Sequence, residues 1–168
     1  MLPTLADFGI KSPVYVRKID KKSHWNPQSS NLEERVNQVA DKVFKEDLCS
    51  LWYIDSDEAF YGVIAAISSG RNPRNQDIDF VWITDEELKL LNILKEQTKE
   101  GYCLFVQHLH YNILIDRETA RRLCYSLIQK EREAQRCKKK STQAILEYQN
   151  NKGCKALINN TNKCNCEK

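Results

Sequence analysis

Three groups of residues have the types and spacing that chemistry needs. The first lies in the polar stretch Ser68–Asp77, where Arg71 and Arg74 stand among Gly70, Asn72 and Asn75. Arginine forks match phosphate and carboxylate geometry, and a glycine-containing loop lets backbone N–H groups approach an anion. An ordinary solvated connection is the competing reading. The second group is His108 and His110. Two apart on a strand, they project from one face and suit a shared metal ion or a general acid–base pair. No further ligand or nucleophile is fixed by spacing to join them, so two polar residues on the open face of a sheet compete with that reading. The third group is Cys137, Cys154, Cys164 and Cys166. All four would be needed for a structural zinc site, but Cys164-Asn165-Cys166 is CxC and departs from the usual CxxC pairs. Exposed tail thiols are the expectation, with no metal and no cofactor.

A fourth feature is charge rather than a constellation. Arg117–Lys140 holds nine basic residues against three acidic ones, and it reads as one helix that leaves the core and continues in solvent. Arg121, Arg122, Lys130, Arg132, Arg136, Lys138, Lys139 and Lys140 are therefore candidates for contact with a phosphate backbone. A solvated helix face competes here too. Trp25, Trp52 and Trp82 do not interleave with these charges, which disfavours a stacking platform for single strands. The asymmetry extends to the whole chain. Residues 1–100 carry thirteen Lys or Arg against seventeen Asp or Glu, and residues 101–168 carry thirteen against six, within a net charge of +3.

The 168 residues are enough for one hydrophobic core without staples. No apolar run approaches the roughly 20 residues that span a bilayer, and the N-terminus has no basic region followed by an apolar one. A cytoplasmic protein without membrane contact is expected. Seven cysteines are an odd count, and Cys49, Cys103 and Cys124 sit inside apolar patterns, so reduced structural thiols are expected over a disulfide framework. Dinucleotide-binding glycines, a P-loop and a nucleophile elbow are absent from the sequence.

The elements that must position these groups read as α+β. Strands are expected at Val14–Ile19, as an edge, and at Leu48–Ile54 and Phe60–Ile67, the last from an almost unbroken apolar run. Two more follow at Phe80–Ile83 and Tyr102–Ile115, the latter a hairpin or a bent strand. Helical spacing appears at Leu32–Phe44 behind an Asn31 cap, briefly after Thr84, and from Asp116 through a stripe of Ala120, Leu123, Cys124, Leu127 and Ile128. The expected architecture is a largely antiparallel sheet of about five strands, packed by two main helices, with a basic helical C-terminal extension and a disordered tail. The domain is read as 1–137 and the extension as 138–168. Trp52 and Trp82 are placed in the sheet core.

These features lead first to a non-enzymatic accessory or binding module with a protein partner. One alternative is a nucleic-acid-binding protein that uses the basic helix. The other is an enzyme acting on a phosphate-containing substrate, with Arg71 and Arg74 holding the anion and His108 or His110 as acid or base.

Overall fold

Among the described residues fourteen short segments follow one another, and the strands among them form one antiparallel sheet. In the computed structural model, which describes residues 1–45, 47–71, 73, 75–99 and 103–152, the order is β1 (Val14–Ile19), α1 (Leu32–Val43), β2 (Leu48–Ile54), α2 (Asp57–Ser69), β3 (Ile78–Ile83), α3 (Asp85–Leu90), β4 (Lys95–Gln97), α4 (Leu104–Gln107), β5 (His110–Leu114), α5 (Arg117–Gln129), β6 (Gln135–Cys137) and α6 (Lys139–Asn151), with two 3-10 turns at Leu5–Phe8 and Lys22–His24. The six strands run β4-β5-β2-β1-β3-β6 across the sheet, every neighbouring pair antiparallel. Each edge is a strand of three residues bearing charge, a form that discourages pairing with another chain.

Strand alternation divides the core in two. Val14, Val16, Ile54, Ile78 and Phe80 face α2, α6 and the N-terminal turn, where they meet Phe60, Ile64 and Ile145. Tyr15, Ile19, Leu51, Val81, Ile83 and Ile113 face α1, α3 and α5, where they meet Val39, Leu88, Leu123 and Leu127. The caps that close the second layer are those legible in the sequence. Asn31 accepts the Glu34 N–H, Asp116 accepts the Thr119 N–H, and Thr84 with Glu87 forms a reciprocal capping box.

Four expectations need correction. Val14–Ile19 is not an edge: β1 is central, between β2 and β3, and Arg17 is accommodated because its Nε donates to the Val43 carbonyl at 3.1 Å. The run around Phe60–Ile67 is helical, started by Ser56, whose hydroxyl accepts the Ala59 N–H. A helix apolar on all sides is one buried on all sides, and α2 lies between the sheet, α4 and α6. The stretch before His110 is a turn of helix rather than a strand arm. Gly62 admits it, because a Cβ there would stand 3.3 Å from both Phe105 and Val106 side chains.

The fourth correction concerns the long basic helix. It stops at Gln129, because Glu131 adopts φ 56° and a Schellman turn follows: the Arg132 N–H donates to the Leu127 carbonyl and the Glu131 N–H to the Ile128 carbonyl. The chain then adds β6 to the sheet beside β3 and packs α6 on α2, with Ile145 fully buried.

Candidate functional site

The reversal at Glu131 decides what the basic residues do. It delivers Arg132 to Glu87, the buried carboxylate of the α3 capping box, through bonds of 2.6 and 3.2 Å. The same guanidinium donates to the Trp82 carbonyl at 2.7 Å and lies 3.4 Å from the centre of the Trp82 ring. Its own backbone carbonyl accepts the Nε1 hydrogen of the fully buried Trp25 at 2.8 Å. Burial acts most strongly on Glu87 and would raise its pKa, but the hydrogen bonds from Arg132 and Thr84 and the charges of Arg132 and Lys130 outweigh it and hold the carboxyl below the usual range. One strand further on, Arg136 grips Asp79 with two bonds of 2.7 and 2.9 Å, and Asp79 also accepts the Lys22 N–H. Lys130 reaches Glu87 at 3.3 Å. Three of the eight nucleic-acid candidates are thus bound into ion pairs, and Lys138, Lys139 and Lys140 lie exposed at the start of α6.

Arg121 and Arg122 have a different setting. They project from α5 into an open groove of about 580 Å³, whose other walls are Leu32, Val36 and Asn37 of α1 and its N-terminal turn, Leu91 after α3, and Tyr125. Leu32 is 37% exposed and Tyr125 49%, so large apolar surface faces solvent here. The segment that supplies Leu91 also exposes Leu90 at 77% and Leu94 at 82%. Arg121 and Arg122 form no ion pair among the described residues, and the buried Arg121 Nε has no hydrogen-bond partner there. Glu33 is the one carboxylate on the lining.

The opposite layer holds the other predicted residues. Arg71 and His110, far apart in sequence, line one cleft of about 400 Å³ with Lys18, Ser50 and Trp52. His110 is buried, its Nδ1 against the Thr98 hydroxyl and its ring edge-on to Trp52 with centroids 4.5 Å apart. His108 does not join it: it caps α4 and is exposed, so the pair does not share a strand face. Arg74 lies outside the described residues.

Cys137 faces the α2–α6 core and is fully buried, its Sγ 3.5 Å from the Thr142 hydroxyl, and burial pushes its thiol up. Cys154, Cys164 and Cys166 fall outside the described residues. Among those described, no three His, Cys, Asp or Glu side chains gather as a metal site would require, and Cys49, Cys103 and Cys124 are buried. No helix of the described residues is long and apolar enough to cross a membrane. Trp52 and Trp82 are half-buried rather than central, while Trp25 is fully buried and anchors the core.

The groove residues Leu32, Val36, Leu91 and Tyr125 were not singled out as a site. Their signal is that Leu32 and Tyr125 flank the buried stripes of two amphipathic helices that pack together. Comparison with protein-family models, with curated proteins and with solved structures finds no match for the chain.

Proposed function

We propose that the protein is a non-enzymatic binding module that docks an acidic, amphipathic helical segment of a partner protein in the groove between α1 and α5. The observation that carries this reading is an apolar floor beside cations that form no ion pair among the described residues: Leu32, Val36, Leu91 and Tyr125 beside Arg121 and Arg122. A contiguous apolar surface rimmed by charge is the usual mark of a protein contact. Helix-in-groove recognition needs apolar anchors at helical spacing, and the two guanidinium groups favour carboxylates on the flank of the incoming helix. Tyr and Arg are also the side chains that most often carry interface energy. The sequestration of Lys130, Arg132 and Arg136 in ion pairs weighs against nucleic acid as the ligand, since it thins the stripe a phosphate backbone would meet.

Selection of a displayed random-peptide library on the protein tests this reading. The recovered peptides should combine apolar residues three and four apart with Asp or Glu, and should lose binding to the R121E/R122E variant. Peptides rich in Lys or Arg, undiminished binding to that variant, or recovery of no peptide of this type contradicts the reading.

A further inference from the structure

On the other side of the sheet from that groove, we infer that the cleft between Lys18, Trp52 and Arg71 binds a small phosphomonoester. Four cations line or border it, from Arg17, Lys18, Lys45 and Arg71, against the single carboxylate of Asp20. Asp20 is already taken by Lys45 at 2.9 Å, and Arg17 is turned toward the backbone carbonyls of Val43 and Ser50. Lys18 and Arg71 remain. Lys18 is half-buried on β1, and its ammonium makes no ion pair or hydrogen bond among the described residues. Arg71 spends one nitrogen on the Asp77 carbonyl at 2.6 Å, which fixes the fork and leaves its other donors available.

The two cations come from different elements and line one cleft, whose single carboxylate, Asp20, is held by Lys45. Burial, and after it the charge of Arg71, lowers the Lys18 pKa from the ordinary lysine value. Like charges concentrated in a cleft create a field that an anion relieves, and a phosphate between an ammonium and a guanidinium fork satisfies both. The remaining wall selects for more than a bare ion. Trp52 is half-buried there, its ring set by the edge-on contact with His110, which is itself positioned by Thr98. A volume of about 400 Å³ falls in the range of small-molecule sites and exceeds what phosphate alone fills. The chemistry that fits is a phosphate group joined to a flat apolar body that can lie on an indole.

The test is a titration of the full chain with inorganic phosphate, AMP and adenosine, followed through the indole N–H signals of the three tryptophans, with W52F to assign one of them. Phosphate and AMP should move the Trp52 signal and leave those of Trp25 and Trp82 in place, while adenosine should do nothing. Tighter binding of AMP than of inorganic phosphate assigns the site to phosphomonoesters; the reverse order returns it to the free ion and overturns the inference. K18Q/R71Q should weaken AMP by roughly tenfold or more, as expected for loss of charge-assisted bonds. R71Q alone, on the loop after α2, provides the same readout should the double variant unfold. The inference is overturned if neither phosphate compound moves the Trp52 signal at about 10 mM, a concentration that detects even millimolar affinity, or if AMP binds R71Q and K18Q/R71Q undiminished. R121E/R122E should bind AMP normally, so failure here and failure of the groove reading are separate results.

Discussion

Arg121–Arg122 and Arg132–Arg136 belong to one basic stretch, and they end in opposite circumstances. Arg132 and Arg136 are committed to buried carboxylates of α3 and β3, with Glu87 and Asp79 each about 5% exposed. Arg121 and Arg122 stand over an apolar groove with no ion pair among the described residues. The difference is made by one backbone reversal at Glu131, which turns the chain back onto the sheet before the next cation arrives. A count of charges along a sequence therefore measures neither a binding footprint nor a stabilising network. The count has to be divided by asking which cation finds a carboxylate after folding.

The largest expected effect comes from removing the acid at the structural end. Glu87→Ala leaves Arg132 buried without its partner and opens the α3 capping box, and unfolding in urea should show a loss of about 3–5 kcal/mol. A double-mutant cycle with Arg132→Ala should recover part of that loss, because the two residues share one interaction. If Glu87→Ala is nearly neutral, the ion pair does not distinguish the two halves of the stretch.

Asp79→Asn comes next. It keeps the shape but weakens two charge-assisted bonds from Arg136, and a loss of about 2 kcal/mol is expected by the same measurement. Acid should reproduce both effects together. The folded-state pKa values of Glu87 and Asp79 lie below their ordinary values of 4.5 and 3.8, so the contribution is complete above those values and disappears as pH falls through the folded ones. The urea midpoint should decline below about pH 4.5, and Glu87→Ala should flatten that decline. A wild-type midpoint unchanged over this range contradicts the assignment.

The smallest effect is at the reversal. Glu131 holds a left-handed conformation that costs an L-residue about 1–2 kcal/mol, so Glu131→Gly should stabilise by roughly 0.5–1 kcal/mol after the entropy of the freer unfolded chain is counted. Destabilisation would mean that the Glu131 side chain holds the turn.

The ends of helices were legible because capping is local. Asn31, Thr84 and Asp116 each bond a backbone N–H three residues on, and their positions can be read from a few letters. Helix α2 was hidden because burial on every side erases the amphipathic period that separates a helix from a buried strand. The strands β4 and β6, three residues each, have too few positions for alternation to appear. The end of α5 was missed since a left-handed Glu carries no glycine signal. At the sites, residue types were informative but neighbours were not. Arg71 and His110 were both picked out, yet their meeting in one cleft depends on β2 lying between β1 and β5. Arg132 looked like any other cation until the sheet placed Glu87 and Trp82 beneath it.

The division of the basic stretch is tested most directly by comparing the urea stabilities of Arg132→Gln and Arg121→Gln/Arg122→Gln under identical conditions. The first should lose about 3 kcal/mol or more, and the second should stay within about 0.5 kcal/mol of the parent protein. Equal losses, or a larger loss in the α5 variant, would show that Arg121 and Arg122 serve the fold rather than a partner and would contradict the account.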